Sequence, residues 1–68
     1  MPNSVYKKIE VVGCSPDSIS DAIANALAKA APETQQGWFE VSEIRGHISD
    51  GKAAVYQVGL KIGIKIEP

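Results

Sequence analysis

The chain has 68 residues, one Cys, one His, one Trp and a formal net charge of -1, a size at which folding buries only about 60% of the unfolded surface and is marginal without a staple. Cys14 alone cannot close an internal disulfide and His47 is the only histidine, so a Cys/His zinc site is excluded and oligomerisation remains as the route to stability. Seven Lys plus Arg mixed among eight Asp plus Glu make no basic face for nucleic acid, and the lack of a signal-peptide core or a bilayer-length apolar run predicts a soluble, cytoplasmic protein of one domain over residues 1–68.

Val5 to Val12 reads as a half-buried strand, with Lys8 and Glu10 on one parity and Val5, Lys7, Ile9 and Val11 on the other. Gly13 is expected to end it. Ser15, Pro16 and Asp17 then read as a helix start: a capping hydroxyl, a proline whose missing N–H costs nothing in the first turn, and a carboxylate at the positive end. Ile19, Ala22, Ile23, Ala26, Leu27 and Ala30 recur at helical spacing as one narrow apolar stripe, opposite Ser20, Asp21, Asn25 and Lys29. Pro32 is expected to stop this helix near Ala31, which leaves Glu33 to Gly37 as a loop.

A second strand opens at Trp38. Phe39 and Val41 share one parity and Ile44 and Ile48 the other, a slip that predicts a bulge near Ser42 and Glu43. Asp50 and Gly51 supply a positive-φ turn and join the second and third strands as an antiparallel hairpin. In the third strand Val58, Leu60, Ile62, Ile64 and Ile66 alternate with Gln57, Gly59, Lys61, Gly63 and Lys65. Ala53 to Glu67 would reach about 50 Å, farther than a helix of about 16 residues covers, so the strand must overhang its own subunit. These elements predict an α+β fold of β-α-β-β order, one helix on one face of a three-stranded antiparallel sheet. Open strand edges invite other copies, and Gly59 and Gly63 are expected to allow strong coiling of the strand or close approach of a second backbone or a flat ligand. A closed homo-oligomer follows.

Chemistry is concentrated in three residues. Trp38 offers a large flat ring, Arg45 a guanidinium and Gln57 a carboxamide, the set that a planar heterocycle with a phosphate tail needs. Taken singly each has a plainer reading: Trp38 as core or interface filler, Gln57 as a solvated strand residue, Arg45 as a surface partner of Glu43. Their joint occurrence is what raises them. Cys14, beside the Ser15 cap, has no base in reach to make it a nucleophile and reads as a small thiol. Lys7 and Lys8 read as a wet face or an edge guard.

The segments VYKKIEVVGCSPDS, AIANALAKA, WFEVSEIRGHI and YQVGLKIGIKIE resemble the dodecins, a family of small flavin-binding proteins, across nearly the whole chain. The resemblance implies a β-α-β-β protomer in a hollow homododecamer, with flavins sandwiched in pockets between subunits. FMN is the flavin implied, riboflavin a further one, and coenzyme A a second ligand of some members. By position, Trp38 would stack on the isoalloxazine ring, Gln57 would hydrogen-bond its polar edge, and Arg45 would meet phosphate. Lys65 stands where many relatives carry Arg, replacing a bidentate fork with a point charge at a phosphate or coenzyme A contact. His47, which shares parity with Arg45, has two readings from its position alone: a solvated strand residue, the plainer one for a lone histidine, or a contact to a ribityl or phosphate oxygen. The chain departs from the family in PETQQG, where Pro32 breaks a usually longer basic helix end and Gly37 replaces a commonly acidic residue.

The reading is of a non-catalytic flavin store, in which stacking on indole suppresses light-driven side reactions. Two alternatives stand beside it: a small flavin reductase, which needs room beside the ring for a substrate, and a coenzyme A carrier or structural assembly that has lost flavin.

Overall fold

The computed structural model describes residues 3–30 and 35–66 and orders them as β1 (Val5–Ser15), α1 (Ile19–Ala30), β2 (Gln36–Ser49) and β3 (Lys52–Ile66). Both the β-α-β-β order and the three-stranded antiparallel sheet are present, with the strands arranged β1-β3-β2. The strand with the cleanest alternation is the central one. Val58, Leu60, Ile62 and Ile64 of β3 are buried. On the same face lie their partners Gly13, Val11, Ile9 and Lys7 of β1, and Ile44, Val41, Phe39 and Gln36 of β2.

Helix α1 covers that face with Ala22 and Ala26, and Ile23, Leu27 and Ala30 pack around them. Small side chains on the stripe let the helix come close to the sheet. At Gly13 a methyl group would strike the carbonyl oxygen of Ala22. The glycine therefore does not end β1 as its composition suggests; it stays paired with Val58, and the strand runs on to Ser15 opposite Tyr56.

That longer strand moves the helix start. Ser18, not Ser15, is the cap: its Oγ accepts from the Asp21 amide at 2.9 Å and its carbonyl accepts from the Ala22 amide at 3.1 Å. Ser15 is still held in the sheet and organises the turn instead. Its Oγ accepts from the Asp17 amide at 2.9 Å and donates to Asp21 Oδ2 at 2.8 Å. Asp21, rather than Asp17, supplies the carboxylate in the first helical turn.

A register shift between Val41 and Glu43 puts the expected bulge at Ser42, and further shifts occur at Gln36/Trp38 and His47/Ile48. Asp50 (φ 53°) and Gly51 (φ 76°) form the hairpin turn. β2 begins two residues before Trp38, because Gln36 pairs with Ile64 and its Nε2 donates to the Leu27 carbonyl at 3.0 Å. Gln36 and Gly37 thus belong to the sheet and not to a loop. The helix stop expected at Pro32, and Glu33, lie outside the described residues.

The 12 residues of α1 span about 18 Å, whereas the 15 of β3 span about 50 Å. The result is a molecule 51 Å long with a radius of gyration of 14.1 Å, against about 11 Å for a compact chain of this length. Because α1 lies over β1 and β3, the apolar row of β2 is left uncovered. Phe39, Val41 and Ile44 are exposed, and Ile48, near the hairpin tip, is 80% exposed.

Candidate functional site

The face of the sheet turned away from α1 carries every candidate residue. On β3 it presents Gln57, Gly59, Lys61, Gly63 and Lys65; across from these stand Tyr6, Lys8, Glu10, Val12 and Cys14 of β1, and Trp38, Glu40, Glu43 and Arg45 of β2, with His47 opposite Val55 farther along. Strict alternation from Trp38 would have sent Arg45 and His47 to the helix side. The bulge at Ser42 resets the parity, so Arg45 and His47 rejoin Trp38 on the open face while Ile44 turns toward Val58.

Trp38 stands opposite Gly63. A methyl at Gly63 would collide with Cδ2, Cε2 and Cζ2 of the indole, so the ring lies directly on the bare backbone of the central strand. Within the protomer it is the chain's own tryptophan that fills the space over this glycine. Tyr6 packs beside the indole, with ring centroids 6.1 Å apart and planes inclined at 43°. Trp38 remains 41% exposed. Its neighbours on this face are Lys65, opposite Tyr6 and half-buried, and Lys8, opposite Gly63.

Farther along β3, Cys14, Gln57 and Arg45 form one cross-strand row. The Arg45 Nε donates to Gln57 Oε1 at 3.2 Å, and its Nη2 lies 3.4 Å from Glu43 Oε1. An arginine Nε carries a hydrogen and can only donate. That bond therefore points the carboxamide oxygen at Arg45 and turns the NH2 end away. With both side chains of the Arg45–Glu43 pair more than half exposed, the ion pair is worth at most about 1 kcal/mol and yields readily to a stronger anion. His47 is exposed on the same face, opposite Val55.

Gly63 lies six residue steps beyond Gln57 on β3, about 20 Å along the strand. The structure thus brings Trp38 together with Lys65, and Arg45 together with His47 and Gln57. It does not bring the two groups together within one protomer. Between them the rows Glu10–Lys61–Glu40 and Val12–Gly59–Glu43 cross the sheet. The residue that sequence reasoning missed is Tyr6. Its parity with Lys8 and Glu10 marks it as open-face, but nothing local shows that β1 will lie two strands from Trp38 across a glycine. Cys14 is free, exposed and within β1, so it does not sit at the helix N-terminus as its neighbour Ser15 suggested. Among the described residues no group of His, Cys, Asp or Glu is placed to hold a metal ion, and no helix is long and apolar enough to cross a membrane.

Comparison with known proteins gives one consistent result. The family model Dodecin matches residues 5–67. A dodecin of Thermus thermophilus is 45% identical over 64 residues, 93% of each chain. The solved dodecin of Streptomyces coelicolor is 44% identical with a TM-score of 0.87, covering 100% of this chain and 99% of that one. The dodecin of Streptomyces davaonensis is 37% identical with a TM-score of 0.86, covering 97% and 98%.

Proposed function

This chain belongs to the dodecin family, and on that premise we propose that it is a non-catalytic protein that stores and buffers FMN between the subunits of a homododecameric shell. The observation that carries this reading is the Trp38 indole, laid flat on Gly63 and 41% exposed. A ring supported by backbone below and open above fits a planar partner. Bound there, an isoalloxazine supplies an electron-poor, light-absorbing and redox-active ring.

The chain's own residues do the rest. Trp38 offers its electron-rich face for offset stacking, which adds about 0.5 to 1.5 kcal/mol to the burial of apolar area. Gln57, its oxygen taken by Arg45, presents its NH2 as a donor to a ring carbonyl. Arg45 exchanges Glu43 for a phosphate in a charge-assisted, bidentate contact, and His47, two residues on, lies in reach of the same tail. At the Trp38 end Lys65 adds a second cationic contact for FMN, or for the phosphates of coenzyme A.

One flavin touching both Trp38 and Gln57 must draw them from different protomers, since Gly63, which faces Trp38, lies about 20 Å from Gln57 along β3. The surfaces for such an assembly are available: two edge strands, and the uncovered Phe39, Val41, Ile44 and Ile48 of β2. Stacking on both faces of the ring leaves no room for a second substrate, which favours storage over turnover.

Fluorescence titration of FMN into wild-type and Trp38→Ala protein, with native mass spectrometry of each, tests the proposal. Wild type is expected to quench FMN and run as a loaded dodecamer, and the variant to lose both colour and quenching. The mass of the retained ligand separates FMN, riboflavin and coenzyme A. Colourless wild-type protein that leaves FMN fluorescence unchanged would rule the reading out.

A further inference from the structure

We propose that Tyr6 is the positioning residue that holds the Trp38 indole in its ligand-ready orientation, and that Gly37 is what gives Tyr6 room to do so. This rests on the reading of Trp38 as the stacking platform and adds what keeps that platform in place.

Trp38 hangs from β2, at the border of the sheet, and must reach inward to cover Gly63. With no side chain beneath it, nothing on β3 at that position stops the ring from swinging off the strand. Tyr6 supplies the stop. It comes from β1, on the far side of β3, and is paired with Lys65, one diagonal step from Gly63. The two aromatics therefore meet above the central strand at the place where that strand has no side chain. Their 6.1 Å centroid separation and 43° tilt put the tyrosine against the indole as a lateral wall, not as a second stacking layer. Trp38 remains 41% exposed beside it, accessible to a ligand.

Gly37 completes the arrangement. It is the extra residue of the register shift between Gln36 and Trp38. A β-carbon there would stand 2.8 Å from Tyr6 Cε2, well inside the contact distance of about 3.5 to 4.0 Å. Any larger residue at position 37 must displace the tyrosine ring that walls the indole. Tyr6, Gly37, Trp38 and Gly63 thus act as one unit, and two of its four members act by lacking a side chain.

Because Trp38 is the chain's only tryptophan, its emission reports on this unit without any ligand. Indole anisotropy and lifetime, excited at the red edge where tyrosine does not absorb, are measured on ligand-free assembled protein for wild type, Tyr6→Leu, Tyr6→Phe and Gly37→Ala. Tyr6→Leu is expected to lower the anisotropy and broaden the lifetimes, and to weaken FMN binding about two- to tenfold, since the ring must then be immobilised on binding. Tyr6→Phe keeps the wall and restores both. Gly37→Ala reproduces the Tyr6→Leu emission, and the double variant loses no more than Tyr6→Leu alone. Wild-type anisotropy in Tyr6→Leu, or in Gly37→Ala should the leucine variant not fold, overturns the proposal. If wild type proves unable to bind FMN, the flavin reading fails, while the ligand-free emission still decides the role of Tyr6.

Discussion

Replacing Gly63 with alanine is expected to lift the Trp38 indole off the sheet and to separate ligand binding from assembly. The backbone itself accepts the change, because the positive-φ positions of the described chain are Asp50 and Gly51. The conflict is with the ring. The new carbon would stand 2.6 Å from Cδ2 of Trp38, with Cε2 and Cζ2 nearer still, against about 3.5 to 4.0 Å for an ordinary carbon contact. The indole must therefore rise by at least about 1 Å. Overpacking of this kind costs about 1 to 3 kcal/mol, offset in part by the roughly 0.4 to 1 kcal/mol that alanine contributes by restricting the unfolded chain. Since Trp38 is partly exposed and has somewhere to go, the net loss of stability falls at the low end, about 1 kcal/mol. Binding suffers more, because a ring no longer seated on the strand cannot meet a ligand held by a second protomer. An affinity loss of at least about tenfold, or about 1.4 kcal/mol, is expected. Urea unfolding, native mass spectrometry and FMN titration of the same preparation measure the three quantities. Assembled Gly63→Ala protein with wild-type FMN affinity and unchanged indole emission would refute the account of Trp38 as a backbone-supported platform.

Ser18→Ala removes the acceptor of the Asp21 amide and is expected to cost about 1 kcal/mol, read as a lower urea midpoint; an equal loss in Ser15→Ala with none in Ser18→Ala would return the cap to Ser15. Ile48→Asp places a charge on an apolar side chain that is 80% exposed in the isolated protomer. The proposed assembly is expected to dissociate, and a variant that still runs at wild-type mass would show that this surface faces solvent. Gln57→Glu keeps a partner for Arg45 but has no NH2 to donate. FMN affinity is expected to drop at least about tenfold, with assembly unchanged, and wild-type affinity in this variant would remove the donor role of Gln57.

Much of the fold is legible in local patterns. The alternation from Gln57 to Ile66, the stripe from Ile19 to Ala30 and the Asp50–Gly51 turn each express a period or a backbone preference that belongs to a few adjacent residues. Even the Ser42 bulge leaves a trace, because an extra residue shifts the parity of every apolar side chain after it. The positions of Trp38, Arg45 and Gln57 as chemically capable residues are visible in the same way.

Contacts between strands are another matter. That Gly63 lies under Trp38, that Tyr6 reaches the indole from the opposite edge, and that Arg45 is spent on Gln57 and Glu43 all depend on β3 lying between β1 and β2 in one register. The shift of the cap from Ser15 to Ser18 depends on β1 continuing past Gly13 beneath a close-packed helix. The residues alone determined which side chains alternate; the folded sheet decided which of them meet. The reason is that a register slip of one residue exchanges the two faces while leaving the sequence pattern of each strand untouched.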